Sequence, residues 1–137
     1  MIRLKDLLTE NKNRFEGGYG TDIEKDSVDN KNFRKVLYTT NQLQLVVMSI
    51  DTDIGEEVHR GTTQFIRVEE GEGVAIIDGK KYPMKAGDSI VVPSGCRHNV
   101  VNSGGSPLKV YSLYAPPKHP EGTIQKAKKD AEEHSNK

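Results

Sequence analysis

The sequence predicts an all-β fold, a sandwich or barrel of short strands, in one domain of 137 residues. Short apolar or alternating segments recur with turn residues between them, roughly every eight to twelve residues. No helical periodicity separates these segments, which argues against a parallel sheet, because parallel strands need crossover connections.

Nine strands are predicted, and they cover residues 33–39, 43–51, 54–59, 64–69, 74–77, 81–84, 89–92, 98–102 and 107–115. The second is the strongest prediction because β-branched and large apolar residues dominate it. Asp78-Gly79 predicts a two-residue hairpin, since both turn positions favour positive φ. We therefore divide the chain into a leader (1–32), a barrel domain (33–117) and a polar C-terminal tail (118–137).

The two ends of the chain differ from the barrel in composition. Apolar residues in Ile2–Phe15 have the spacing of an amphipathic helix, whereas Thr21–Lys31 is polar and predicted to be a loop. We expect this helical or extended leader to cover the barrel or to reach a partner subunit. The tail from Thr123 to Lys137 has a helical composition but few apolar residues, so we expect it to fray.

Composition excludes several classes of function. Lys and Arg total 20, as do Asp and Glu, so the net charge of zero does not favour nucleic acid as a partner. No apolar run approaches the roughly 18–20 residues that span a bilayer, and no signal-peptide core is present. The single cysteine, Cys96, predicts a reducing cytoplasm. We expect a homodimer, because the edge strands of a sandwich must be covered.

Two polar clusters carry the functional prediction. His98 follows the turn Pro93-Ser94-Gly95 and shares one strand face with Val100 and Asn102, which points it into the barrel. Glu57 and His59 are two residues apart and share a face as well.

Gln64 follows on the next strand, on the same face as the apolar residues Ile66 and Val68. A buried carboxylate, amide and imidazoles need partners, and a divalent cation would satisfy them together.

The second cluster resembles the cupins, small double-stranded β-helix (jelly-roll) barrels. Their second motif is Gly, five residues, Pro-x-Gly, two residues, His, three residues and Asn. It is matched in full by Gly87, Pro93, Gly95, His98 and Asn102. The resemblance covers about residues 43–115 and implies a cupin barrel for the whole strand-rich region.

The first cupin motif, His-x-His, Glu and Gly, is matched in spacing but not in residue types. Glu57 stands where the first His is usual, Gln64 where the Glu is usual, and Asp51 where a leading Gly is usual, whereas His59 and Gly71 agree. The resemblance implies that Glu57, His59, Gln64 and His98 bind a divalent metal ion: zinc, iron, manganese or nickel. This set is similar to that of the phosphomannose isomerases, with Gln and Glu exchanged.

Three functions are consistent with these residues, and each implies a small-molecule substrate or ligand. One is a metal-dependent enzyme on a small polar molecule, such as a mannose-6-phosphate isomerase-like sugar isomerase. The second is an Fe(II) or Mn(II) dioxygenase, and the third is a non-catalytic small-molecule or metal-binding module. Other inward positions near the ligands are predicted to be apolar, which disfavours a highly anionic phosphate.

Other candidate residues receive structural interpretations. We predict that Cys96 is buried as a small apolar residue and that His119 lies on the surface. Tyr82, Tyr111 and Tyr114 are expected to serve packing, and Asn102 to hold a turn.

Overall fold

The computed structural model describes residues 14–15 and 17–135, with side chains described from residue 17 to residue 132. In chain order its elements are β1 Arg14–Phe15, β2 Gly18–Tyr19, α1 Ile23–Asp29, β3 Arg34–Thr39, β4 Gln44–Ile50, β5 Glu57–Val58, β6 Thr63–Glu70, β7 Glu72–Ile77, β8 Lys80–Lys85, β9 Ser89–Val92, β10 Arg97–Asn102, β11 Leu108–Ala115, β12 Ile124–Gln125 and α2 Lys128–Ser135. Neither of these helices has the length and apolar character needed to cross a membrane.

Two antiparallel sheets form the barrel. The larger has the strand order β12-β3-β4-β11-β6-β9 and the smaller the order β5-β10-β7-β8, while β1 and β2 form a separate hairpin. The predicted all-β jelly roll is confirmed. All nine predicted strands are present, with ends that differ from the prediction by at most three residues.

The core lies between the inner faces of the two sheets, as the alternation of residues requires. On β6, Gln64, Ile66 and Val68 are buried and the intervening Phe65 and Arg67 are partly exposed, which confirms the predicted parity. The apolar core of the barrel strands consists of Val36, Val46, Met48, Ile50, Ile66, Val68, Ala75, Met84, Val92, Val100, Leu108, Val110 and Tyr114.

The Asp78-Gly79 turn between β7 and β8 has the predicted form. Asp78 has φ of 48° and Gly79 has φ of 83°, so both turn residues are left-handed. A two-residue turn of this kind matches the twist of the strands that it joins, and β7 and β8 pair along their whole length.

The leader prediction was wrong for Thr21–Lys31, which contains helix α1 rather than a loop. Asp22 caps this helix by accepting a hydrogen bond from the Lys25 amide at 3.1 Å. The Lys109 ammonium group on β11 donates to the Asn30 carbonyl and ties the end of α1 to the sheet. The helix predicted over residues 2–15 lies outside the described residues except for its last two, which form β1.

The prediction that the C-terminal tail frays was wrong for residues 124–135, which form β12 and α2. Strand pairing and an ion pair hold this part of the tail against the barrel, and Ala131 packs against the core. Ile124 and Gln125 pair with Lys35 and Arg34 of β3, so β12 extends the larger sheet. Lys128, the first residue of α2, pairs through its ammonium group with the Asp53 carboxylate.

Gly73 on β7 provides a test of packing between the sheets. A Cβ atom there would lie 2.6 Å from Leu108 Cδ2 and 2.8 Å from the Val101 carbonyl oxygen. We expect Gly73→Ala to lower the free energy of unfolding by about 1–3 kcal/mol, as overpacking does. At Gly105 a Cβ would meet nothing within 4 Å, so Gly105→Ala should change it by less than about 0.5 kcal/mol. Urea denaturation measures both, and equal midpoints for the two variants would contradict the packing argument.

Candidate metal centre

The short strand β5 and the start of β10 bring the two polar clusters together. His98 and Glu57 are direct partners in the antiparallel ladder. The Gly95 amide donates to the His59 carbonyl at 2.8 Å, and the Gly61 amide donates to the Ser94 hydroxyl at 2.7 Å. The turn before β10 is therefore bound to the chain that carries His59.

Glu57, His59 and His98 form a compact cluster. Each offers one ligand atom, and these atoms all lie within 4.8 Å of one another. The exposed fractions are only 4% for His59 and 1% for His98. Ligand atoms lie about 2.0–2.2 Å from a zinc ion, so the separations are close to those that one ion requires. Two imidazoles and one carboxylate are a donor set suited to zinc or non-haem iron.

The tautomer of His98 is set by its own turn. Nδ1 lies 3.1 Å from the Cys96 carbonyl oxygen, which can only accept, so Nδ1 carries the proton. Nε2 is then an acceptor, and it is buried with no hydrogen-bond partner in the described part of the chain. Burial also lowers the pKa of His98, which favours the neutral ring that a metal ligand must have.

His59 and Glu57 are close without forming an aligned hydrogen bond. The Glu57 Oε2 atom lies 2.9 Å from His59 Nε2, yet neither ring nitrogen of His59 has a hydrogen-bond partner among the residues described. Burial alone would raise the pKa of Glu57, but the His59 ring and the charge of Arg34 outweigh it and lower the pKa. Glu57 is therefore a carboxylate, the state in which it can bind a cation.

Gln64 lies on β6 of the larger sheet, buried inside the barrel and outside the three-residue cluster. Its Nε2 donates to the Ser112 and Tyr114 hydroxyls, both at 3.1 Å. Its Oε1 is buried and has no hydrogen-bond partner within residues 17–132. Tyr114 connects the two, because its ring packs against His59 with centroids 5.8 Å apart. Gln64 thus offers a free amide oxygen inside the barrel, as its predicted inward position requires.

A cavity of about 760 Å³ opens beside the cluster, between the barrel and residues 118–132, which we call the C-terminal segment. Its lining includes Arg34, Lys118, His119, Gln125 and Lys128, none of which the sequence analysis identified as a site residue. Among the inward strand positions, which were predicted to be apolar near the ligands, Arg34 on β3 and Gln125 on β12 are exceptions, whereas Ile66, Val68 and Val100 are apolar as predicted.

Arg34 is a buried cation next to the cluster, with an exposed fraction of 3%. Its guanidinium donates to Gln125 Oε1 at 2.7 Å and lies 3.7 Å from Glu57 Oε1. Its Nε has no hydrogen-bond partner among the described residues. A signal was present in the sequence, because Arg34 shares the face of a predicted strand with the apolar residue Val36, which is buried in the core.

His119 is not a surface residue, as was predicted, but a wall of the cavity. Gln44 on β4 holds its backbone in place, since Gln44 Oε1 accepts from the His119 amide at 3.0 Å and Gln44 Nε2 donates to the His119 carbonyl. The His119 ring packs on Tyr114 with centroids 5.1 Å apart, and its Nε2 is buried and unpartnered in the described region. Burial lowers the pKa of His119 to about 3, so the ring is neutral at physiological pH.

The remaining predicted residues have varied environments. Tyr114 is buried beside the cluster, and burial raises the pKa of its hydroxyl, which stays protonated. Tyr82 is 44% exposed. Cys96 is half-buried rather than buried as predicted; it packs against the edge of the core, and desolvation raises the pKa of its thiol. Asn102 donates to the Ile50, Asp51 and Ser106 carbonyls, so it fixes loops as predicted.

Comparison with known proteins assigns the family. The sequence model of the cupin-domain family matches residues 44–114. The chain is a cupin. The crystal structure of BH2720 from Bacillus halodurans is similar to this cupin with a TM-score of 0.82 and 39% identity, covering 84% of this chain and 93% of that one.

Two curated relatives extend the comparison. An uncharacterized protein, YrkC of Bacillus subtilis, is 38% identical over 135 residues, or 89% of this chain and 73% of the relative. A protein of Thermotoga maritima named an oxalate-binding protein is 32% identical over 62 residues, or 45% of this cupin and 51% of that protein.

His98 gives the sharpest test of the cluster. We expect His98→Ala to abolish tight binding of a divalent ion, because it removes a neutral nitrogen ligand, while the barrel stays folded. Asn99→Ala is the matched control, since Asn99 is the next residue on β10 and its side chain bonds to Asp53 instead. Elemental analysis measures bound metal and circular dichroism measures the fold. Equal metal content in the two variants would remove His98 from the ligand set.

Proposed function

We propose that this cupin binds one divalent metal ion through Glu57, His59, Gln64 and His98 and uses it on a small polar molecule in the adjoining cavity. The observation that carries the proposal is a set of buried polar atoms without aligned hydrogen-bond partners in the described chain: His98 Nε2, His59 Nε2 and Gln64 Oε1. A buried polar atom left unpaired costs roughly 1–3 kcal/mol, so three near one carboxylate favour a shared ligand.

The alternative to a metal is a hydrogen-bond network between Glu57 and Gln64. The contacts favour the metal, because Gln64 directs its donor group to Ser112 and Tyr114 and keeps only its oxygen free. A bound divalent ion would act as a Lewis acid that polarises a ligand oxygen. Glu57, His59 and His98 would hold the ion, and the hydroxyl groups of Ser112 and Tyr114 fix the orientation of the Gln64 amide beside them.

Two enzymatic classes and a binding role follow from this site. A sugar isomerase must move a proton between carbon atoms, which requires an acid–base group beside the ion. An Fe(II) or Mn(II) dioxygenase would use the same two histidines and carboxylate. The name of the Thermotoga relative supports a third possibility, a module that binds a small molecule without turnover.

Metal binding should stabilise the folded protein. We expect saturating zinc, manganese or iron to raise the melting temperature by mass action, because the ion binds only the folded site. Gln64→Glu should bind metal more tightly and show a larger rise, since a second carboxylate faces the ion. Gln64→Ala should show a smaller rise. Scanning calorimetry measures the melting temperature of protein stripped of metal, before and after each ion is added. An unchanged melting temperature with zinc, iron, manganese and nickel would contradict the metal proposal.

We also propose that the cupin forms a homodimer through the outer face of the larger sheet. Leu45, Leu113, Phe65 and Val91 are successive cross-strand neighbours there, and Val91 is 54% exposed. Such a contiguous apolar row on an outer face favours a partner surface.

The dimer is tested by light scattering. We expect wild type to have twice the mass of one chain and Val91→Glu to be a monomer, because a charge would be buried in the interface. Tyr82→Glu is the control, as Tyr82 is 44% exposed but lies on the other sheet. A monomeric wild type, or a dimer of Val91→Glu, would contradict the proposal.

A further inference from the structure

The cavity beside the metal centre has its own set of polar groups, separate from the metal ligands. Arg34 and the loop residues Lys118 and His119 line it, next to Glu57 and His59. Two buried nitrogens in this wall, Arg34 Nε and His119 Nε2, have no hydrogen-bond partner within the described chain. Buried polar atoms are rarely left unpaired, so these two nitrogens indicate a bound group other than the metal.

The charges around the cavity do not balance once a divalent ion is bound. His59, His98 and Gln64 are neutral as ligands, so the ion keeps two positive charges against the single negative charge of Glu57. Arg34 adds one more, because a guanidinium stays protonated even when it is buried.

The other carboxylates of the wall are already engaged by basic partners. Glu56 pairs with Arg97 at 2.6 Å. Lys128 pairs with both Asp53 and Glu132, and the one negative charge that these three leave is balanced by Lys118 at the edge of the cavity. The ion, Glu57 and Arg34 therefore leave the site with an excess of two positive charges. A buried excess of this kind favours an anionic ligand.

The wall is also held rigidly in position. Gln44 is fully buried and bonds to the amides of Lys118 and His119 and to the His119 carbonyl. Gln125 on β12 accepts from Arg34 at 2.7 Å and so orients the guanidinium. Groups fixed in advance bind a ligand without the cost of ordering them.

We propose that Arg34 and His119 form a carboxylate subsite, and that the cupin's ligand is a small 2-hydroxy or 2-oxo acid. The ligand's carboxylate would lie against Arg34 and the His119 ring, and its second oxygen would reach the metal, so this inference rests on the proposed metal centre. Arg34 suits the task because its planar donors match a carboxylate. The His119 ring is neutral and contributes a hydrogen bond, so Arg34 is the residue that selects for charge. Lys118, exposed at the edge, would attract the anion.

The experiment compares lactate with lactamide, which have the same shape but differ in charge. Isothermal titration calorimetry of the zinc-loaded full chain measures both affinities in wild type, Arg34→Gln and His119→Phe. We expect wild type to bind lactate about ten- to hundredfold more tightly than lactamide, which is the value of a charge-assisted hydrogen bond. Arg34→Gln should bring the two affinities within about threefold. His119→Phe should weaken lactate binding but keep the preference for charge.

Arg67→Gln is the matched control, because Arg67 lies on the outward face of β6 and pairs with Glu69. It should leave both affinities unchanged. If Arg34→Gln does not fold, Arg34→Lys replaces it; that variant keeps the charge but loses the planar donors, so it should keep the preference with weaker lactate binding.

The outcomes separate this inference from the proposed function. Elemental analysis of each sample gives its metal content independently of lactate binding. A wild type that takes up no metal defeats the metal centre and this inference with it. A wild type that holds metal but binds lactate no better than lactamide, or binds neither, overturns the carboxylate subsite alone. A charge preference that survives in Arg34→Gln also overturns it.

Discussion

The pairing of β5 with β10 is the contact on which the metal centre depends. A two-residue strand forms a weak ladder by itself, so its position needs additional support. The Gly95 amide supplies it by donating to the His59 carbonyl, and the Ser94 hydroxyl accepts from the Gly61 amide. Gly95 has φ of 86°, a left-handed conformation that favours glycine. The Pro-x-Gly turn therefore has two roles, since it starts the strand of His98 and anchors the segment of His59.

The opposite end of β10 is fixed by Asn102. Its amide nitrogen reaches the carbonyls of Ile50, Asp51 and Ser106, and its oxygen accepts from the Gly104 amide at 2.9 Å. A slip of one residue in a strand would turn every side chain to the other face of the sheet. With a turn at one end and the Asn102 side chain at the other, β10 keeps His98 on the inner face. The spacing of the second cupin motif thus encodes the register of one strand.

The sequence predicted the barrel and its inward residues because both depend on local alternation. His98, Gln64 and His59 are buried as their parity requires. Contacts that close the chain on itself carry no such local signal. His119 is placed by hydrogen bonds with Gln44, which lies 75 residues away in sequence.

Arg34 was not predicted as a site residue for a different reason. Its inward parity beside Val36 was readable, but an arginine within a strand is usually exposed, so the pattern alone did not mark it as buried. Its partner Gln125 lies in a tail whose composition predicted fraying. Arg34 is buried because β12 pairs with β3 and covers it. A strand of two residues such as β12 is too short to show a periodic pattern in the sequence.

The burial of Arg34 also accounts for a carboxylate at position 57 and a neutral amide at position 64. The Glu57 side chain is 27% exposed and lies 3.7 Å from the Arg34 guanidinium, so its charge is partly solvated and compensated. Gln64 is only 2% exposed, and its amide nitrogen donates to two hydroxyl groups.

In the reverse arrangement, a glutamate at position 64 would have only hydroxyl donors from Ser112 and Tyr114, and a glutamine at position 57 would leave Arg34 without a negative partner. In the metal-free protein both changes would bury an uncompensated charge, which is costly. The ligand order of the first motif and the buried cation on β3 are therefore one electrostatic arrangement. It places the negative ligand on the side of the centre that faces the cavity.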